Sequence, residues 1–218
     1  MKPFLFDLHC HTREHSFDGE IPAVELVRAL VQSGFSGVTI TDHNYVWPEE
    51  ELRQLALESG VSDDFVLLSG QEVSTLHEGI LCGDLLVFGV PISLPDGMSP
   101  VSVCKEAKLA GGFLIAPHPA APRSGFGTRL DSFPVAAVEV WNGRYGNRIS
   151  SASRALARQY NLPQVGGSDA HRPCEIGGGG TLVPELPRTL NDLETLIRKH
   201  QTIPWRPLRS HLTRLFAP

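Results

Sequence analysis

At 218 residues, 41% hydrophobic and 20% charged, the chain has enough apolar material for the core of one domain, and no apolar run approaches the roughly 20 residues that cross a bilayer. A formal net charge of −5 argues against attraction of the whole surface to nucleic acid. Cys10, Cys82, Cys104 and Cys174 are too scattered for a zinc knuckle or a dithiol redox pair, so incidental reduced thiols are expected.

The opening MKPFLFDLHCHT turns polar at Asp7, too early for the apolar core of a signal peptide, which points to a cytoplasmic protein with no membrane partner. Beyond it, short runs rich in β-branched and aromatic residues alternate with amphipathic stretches. That is the pattern of strands joined by helices, and about six or seven β/α units fit. Strands are expected at 4–9, 37–41, 65–70, 85–90, 113–116, 137–141 and 164–167. Helices are expected to start near Pro22, Pro48, Ser99, Asn147 and Leu190, with the two prolines at first helical positions and Ser99 and Asn147 as caps. In AVELVRALVQSG, Val24, Leu26, Val27, Leu30 and Val31 share a face, and Gly34 is suited to a left-handed close. The glycine run 177–180 reads as a flexible turn. Arg198, Lys199, Arg206, Arg209 and Arg214 form a C-terminal basic stretch without acidic residues, read as a solvated face. With no repeat or linker, one domain over 1–218 is expected.

His9 and His11 fall on the same side of an extended segment about 7 Å apart, which suits two imidazoles on one metal. A lone histidine pair of this kind is more often solvated. Here Asp42 and His43, Glu72, His118, and Asp169 with His171 each follow a further apolar run. In a β/α barrel the C-terminal ends of the strands converge on one face, so these scattered groups would meet there. Imidazoles and carboxylates without thiolates fit zinc, manganese or iron and disfavour a sulfur-rich structural site.

DLHCHT, TDH, GQE, HP and GSDAH, in this order, resemble the motifs of the polymerase and histidinol phosphatase (PHP) domain, over about residues 5–185. The resemblance implies an α/β fold, a distorted seven-stranded TIM-like (β/α)7 barrel, with two or three divalent ions (Mn, Fe or Zn) and phosphoester hydrolysis by a metal-bridging hydroxide. It implies that His9, His11, Glu72 and Asp169 hold one ion. Glu72 would bridge to a second, shared with His118, and Asp18, His43 and His171 would hold a third. Asp18, in HSFDGE, is preferred to His15. Glu72, Asp169 and His171 are the expected catalytic residues, and Asp7, Asp42 and Glu139 are expected to orient the ligands.

The family often has Gly-His-Leu-Leu where this chain has Gly-Asp-Leu-Leu, so Asp84 either replaces an imidazole, favouring a harder ion, or caps a turn before the following strand. His77, in STLHEG, is the less favoured substitute because its loop does not follow a strand. Arg123 and Arg144, on expected top-face loops, could fork phosphate oxygens, although each reads equally well as a solvated arginine. The expected partner is a small phosphorylated substrate, with a nucleotide or short nucleic acid also accommodated. Hydrolysis of a C–N or carboxylic ester bond, or a non-catalytic PHP module serving a partner, are the competing readings.

Overall fold

The computed structural model describes residues 2–207, and Arg209 and Arg214 of the basic stretch lie outside them. The elements in chain order are β1 (Phe4–Asp7), α1 (Ala23–Gln32), β2 (Gly37–Ile40), α2 (Glu49–Ser59), β3 (Val66–His77), β4 (Ile80–Phe88), α3 (Pro100–Ala110), β5 (Phe113–Ala116), β6 (Ala137–Asn142), α4 (Asn147–Gln159), β7 (Gln164–Gly167), β8 (Gly180–Val183), α5 (Leu190–Arg198) and β9 (Ile203–Trp205). The described strands form one nine-stranded sheet in the order β7-β6-β5-β4-β3-β2-β1-β8-β9. No helix among the described residues is long and apolar enough to cross a membrane.

The sheet curls into a nearly closed barrel of the expected class, with the seven expected strands in sequence order around it. Its two edges meet through side chains and one short bridge. Thr181 Oγ1 on β8 accepts from Gly166 N (2.9 Å) and donates to Gly166 O (2.7 Å) on β7, and Thr202 Oγ1 donates to Gln164 O (2.9 Å). Just past β1 and β7, Cys10 and Ala170 pair directly in parallel.

Several expectations need correction. The strand count is nine, because GTLV enters antiparallel beside β1 as β8 and IPW pairs with it as β9. Segments of four and three residues, glycine-led or proline-bearing, carry too little periodicity to be seen in sequence. The 177–180 run is a packed crossing: a Cβ on Gly179 would lie 2.1 Å from Gly167 O, and Gly178 O accepts from Trp141 Nε1. β3 continues through STLH to His77 and turns at Glu78 and Gly79, both with positive φ (52° and 78°), into an antiparallel β4. His77 therefore ends a strand, and Asp84 sits inside one instead of capping a turn.

All five expected helices form. Pro22 and Pro48 sit one residue before the first helical residue, and Asn147 is itself the first residue of α4, after Gly146. Ser99 caps α3, its side chain accepting from Ser102 N. Ala23, Leu26, Val27 and Leu30 of α1 are buried, whereas Val31 is exposed, and Gly34 is left-handed (φ 81°).

One apolar cluster joins Phe6, Leu86, Phe88, Ile115, Val165 and Val183 from five strands with Leu193 and Ile197 of α5. Side chains from so many strands can meet only inside the barrel, so α5 covers the end where the parallel strands begin. Two further clusters pack α1 and α2, and α3 and α4, on the outside. The opposite end is where the polar side chains collect.

Candidate metal centre

The segments leaving the strands hold one another by backbone bonds. Asp169 N donates to His9 O (2.7 Å), His11 N to Ala170 O (3.0 Å), Glu72 N to Asp42 O (3.2 Å) and Asn44 N to Glu72 O (2.9 Å). Residues from the two ends of the chain are thus fixed side by side. His118 and Asp169 take positive φ (27° and 53°), unusual for side chains with a Cβ and costly unless the surroundings impose it. Both side chains point into the centre.

Four of the five imidazoles follow one rule, in which Nδ1 is occupied by a protein hydrogen-bond partner and Nε2 faces the middle. His9 Nδ1 donates to Glu139 Oε1 (3.2 Å), His11 Nδ1 to Ser16 Oγ (3.1 Å) and His171 Nδ1 to the Asp169 carbonyl (3.0 Å), and His118 Nδ1 shares a hydrogen bond with Ser124 Oγ (3.3 Å). Such bonds select the tautomer whose Nε2 lone pair is available to a cation. The Nε2 atoms of His9, His11 and His118 lie 3.2, 3.1 and 3.1 Å from the Glu72 carboxylate, which uses Oε2 for the first two and Oε1 for the third. His11 Nε2 is buried with no hydrogen-bond partner, being close to Glu72 but off the line of a bond. Asp169 Oδ1 completes this inner half, 3.5 Å from His9 Nε2 and 3.6 Å from His11 Nε2.

The outer half is His43, His171 and Asp18. Asp18 Oδ1 lies 3.5 Å from His43 Nε2, and its Oδ2 lies 3.2 Å from His171 Nε2. His15, the competing residue, is turned away toward Glu51 (3.3 Å) and stacks on Tyr45. Asp84 Oδ2 lies 3.9 Å from His118 Nε2. Its direct cross-strand partner is Ser74, which donates to its Oδ1 (2.7 Å), and Glu72 lies two residues from Ser74 on the same face of β3. His77, at the exposed hairpin tip, is not among the donors that meet.

Three donor sets result: His9, His11, Glu72 and Asp169; Glu72, Asp84 and His118; and His11, His43 and His171. In each, the donor atoms lie within 4.8 Å of one another. The sets share His11 and Glu72. Buried nitrogen and oxygen donors, one without a hydrogen-bond partner, are the chemistry a divalent cation needs, so these residues fit metal ions.

Proton affinities in the metal-free protein describe the same charge balance. Burial opposes a charge on His11, yet the carboxylates of Asp169 and Glu72 raise its pKa to about 9. For His9 burial is likewise outweighed by Glu72, Asp169 and Glu139, and its pKa lies well above the usual value. The carboxyls of Glu72 and Asp169 are held low, against burial, chiefly by His9 and then His11. Burial and the Glu72 charge push Asp84 up to about 7. In the outer half, burial lowers the His43 pKa, and His171 and His43 lower that of Asp18 against its burial.

The orienting residues are partly as expected. Glu139 holds His9, and its Oε2 accepts from His118 N (2.9 Å) and Asn142 Nδ2 (2.9 Å). Asp42 touches no imidazole. It accepts from Thr12 N, Thr12 Oγ1, Trp47 Nε1 and Ser16 Oγ, and it acts on His11 through Ser16. Asp7 accepts from the backbone N–H groups of His9 and Ser168, and burial raises its pKa to about 7. Arg144 Nη1 sits 3.1 and 3.2 Å from the two nitrogens of His171, beside the outer half. Arg123 is exposed and has no ion pair among the described residues.

Ser16, Ser124 and Asn142 were not singled out in the sequence. Asn142 bonds both Glu139 and Asp169 (3.0 Å) because a register shift between Glu139 and Trp141 breaks the alternation of β6 and brings both ends of Glu-Val-Trp-Asn inward. Gly167 is a further requirement, since a Cβ there would come within 2.5 Å of His9 Cβ and 2.6 Å of Glu139 Oε1.

The model of the PHP domain matches residues 7–165, which hold every one of the described donors except Asp169 and His171. The chain belongs to the PHP domain family. A PHP-associated region matches residues 151–202. Among relatives of this PHP protein, an uncharacterized protein of Methanocaldococcus jannaschii, MJ1587, is 28% identical over 153 residues, covering 66% of this chain and 84% of that one. The crystal structure of PsfC from Pseudomonas syringae superposes with a TM-score of 0.70 at 18% identity, over 99% of this chain and 95% of that chain. A protein of Bifidobacterium adolescentis to which metal-dependent phosphoesterase activity is ascribed does so with a TM-score of 0.62 at 19% identity, over 89% and 96% of the two chains. At these identities the structures share the fold.

Proposed function

We infer that this PHP protein is a metal-dependent phosphoesterase acting on phosphate esters at a centre of two or three divalent ions. The observation that carries the reading is Glu72, a single buried carboxylate whose two oxygens face different imidazoles, as a ligand shared between two ions must. His9, His11, Glu72 and Asp169 would hold one ion, Glu72, Asp84 and His118 a second, and His11, His43, His171 and Asp18 are the donors around a third. Manganese, iron or zinc suits these donors, with the carboxylate of Asp84 favouring the harder ions. Bound there, the ions would supply Lewis-acid activation of water and neutralise charge building on the phosphoryl oxygens.

The side chains provide the rest. Asn142 occupies Asp169 Oδ2 and leaves Oδ1 free to face the inner imidazoles as the ligand atom. Arg144, beside His171, is placed to hold a non-transferring phosphoryl oxygen, and the fixed charge would strengthen as water is excluded. On the outer side His171, His43 and Asp18 would hold the third ion beside Arg144. A small phosphorylated substrate is the natural partner, and a nucleotide falls within the same chemistry.

The test is elemental analysis of protein purified without chelator, followed by phosphate release from an aryl phosphate after loading with manganese. At least two ions per chain and chelator-sensitive phosphate release are expected. Bound metal with hydrolysis of amides or carboxylic esters in place of phosphates would assign a different bond. No metal uptake at all would leave only the non-catalytic reading.

A further inference from the structure

Among the described residues, the most exposed large hydrophobic is Phe17, at 87%, and it is the one aromatic ring in that class. A single exposed apolar side chain is ordinary on a protein surface. Phe17 differs in where it is and how it is held. On one side, Ser16 is buried, its Oγ donating to Asp42 Oδ1 (2.8 Å) and accepting from His43 N (3.0 Å). On the other, Asp18 faces His43 and His171. Gly19 follows so close to Thr12 that a Cβ would lie 2.2 Å from its carbonyl oxygen. The backbone at Phe17 is therefore pinned from both sides while its ring is left in solvent.

That ring lies against the outer half of the centre. Its centroid is 5.1 Å from that of His43, with 30° between the planes, so one face covers the imidazole and the other is open. The guanidinium of Arg144 lies on the other flank, against His171. The outer donors are thus bordered by a cation suited to phosphoryl oxygens on one side and a free aromatic face on the other.

We propose that Phe17 is a specificity-determining residue, a stacking platform that selects phosphate esters whose alcohol portion carries a flat aromatic group. The phosphoryl group would lie between Arg144 and the outer donors, and the aromatic group would cover the open face of Phe17. Stacking of a planar group on an exposed ring tolerates many ring types, so the selection is for flatness and not for one hydrogen-bond pattern. The proposal rests on the phosphoesterase reading for its reaction, but stacking can be measured without turnover.

The experiment compares kcat/KM for phenyl phosphate and adenosine 5′-monophosphate with that for glycerol 1-phosphate, in the manganese-loaded protein and its Phe17→Ala and Phe17→Trp variants. Intrinsic leaving-group differences cancel when each aromatic-to-aliphatic ratio is taken relative to the unaltered protein. Phe17→Ala should lower both ratios about tenfold through KM, within the span found when stacking aromatics are cut to alanine, and Phe17→Trp should keep or raise them. A fall for adenosine 5′-monophosphate alone would narrow the selection to nucleobases. Ratios unchanged in Phe17→Ala overturn the proposal. If the unaltered protein hydrolyses none of the three, the phosphoesterase reading fails instead, and calorimetric binding of phenylphosphonate against propylphosphonate decides the platform. Preference for the phenyl compound that disappears in Phe17→Ala supports it, and equal binding overturns it.

Discussion

Glu72, with 3% of its side chain exposed, and Asp18, with 35%, both face imidazoles, yet they belong to different kinds of structure. Glu72 extends from a long strand, its backbone tied to β2 through Asp42 and Asn44, and it shares a face with Ser74 opposite Asp84. Asp18 sits on the loop before α1, held by the Gly19 turn and by the imidazoles it faces. In the inner half, buried charges of opposite sign compensate one another in a region of low dielectric, where loss of one partner is expensive. In the outer half, water can replace a lost ligand. The inner half should behave as a resident site and the outer half as the part that opens to solvent and substrate.

The hardest blow to this contrast is Glu72→Gln. Glutamine keeps the shape but removes the charge that three imidazoles face. Activity is expected to fall by more than about 100-fold, beyond the ~10–100-fold typical of altering a residue that only orients a ligand. Elemental analysis should show two ions leaving together. Full metal content with near-normal turnover would exclude a bridging role.

Asp84 tests whether the inner half divides. Asp84→Ala should remove or loosen one ion and lower activity about tenfold, leaving the ion at His9 and His11 in place. Asp84→His should let zinc compete better against manganese, because an imidazole is softer than a carboxylate. Unchanged stoichiometry and metal order in both variants would place Asp84 outside the ligands and leave it only its bond to Ser74.

A smaller effect is expected in the outer half. Asp18→Asn should weaken one ion by several-fold to about tenfold and leave the inner ions and thermal stability unchanged, since a half-exposed carboxylate contributes little to folding. Loss of all ions in Asp18→Asn would mean the two halves are a single unit.

The mildest probe is pH. With a pKa of about 9, His11 is protonated in the metal-free protein below that pH, and an incoming ion must displace the proton. Apparent affinity of the inner half should therefore rise between pH 7 and pH 9, by up to about tenfold per unit for each proton that the ion displaces. The lowered pKa values of His43 and Asp18 mean that these two groups are already deprotonated at pH 7 and add no dependence in that window. Calorimetric metal titrations at pH 7, 8 and 9 check this. A pH-independent inner affinity would show that His11 binds no proton that the metal replaces.

How much of this was legible in the sequence differs from residue to residue. His9, His11, His43, Glu72, His118, Asp169 and His171 could be picked out because each stands at the end of an apolar run, and donors at strand ends must gather at one rim of a barrel. Asp18 could be preferred to His15 from its place in HSFDGE, and the structure turns His15 toward Glu51. By contrast, the antiparallel course of β4, which lays Asp84 opposite Ser74, follows from a two-residue turn hidden in STLHEG. Ser16 and Asn142 look like ordinary polar residues until a hydrogen bond or a bulge gives them a direction.

The order of strands and helices, the imidazole and carboxylate chemistry and the end of the barrel where it gathers were determined by the sequence alone, because apolar periodicity and the residues that interrupt it are local properties of the chain. Which carboxylate faces which imidazole, which nitrogen of each ring points inward, and how β8 and β9 fill the seam were decided only by tertiary structure. Those choices depend on sheet register, on one bulge and on the meeting of Cys10 with Ala170, contacts between segments far apart in the chain that no local pattern encodes.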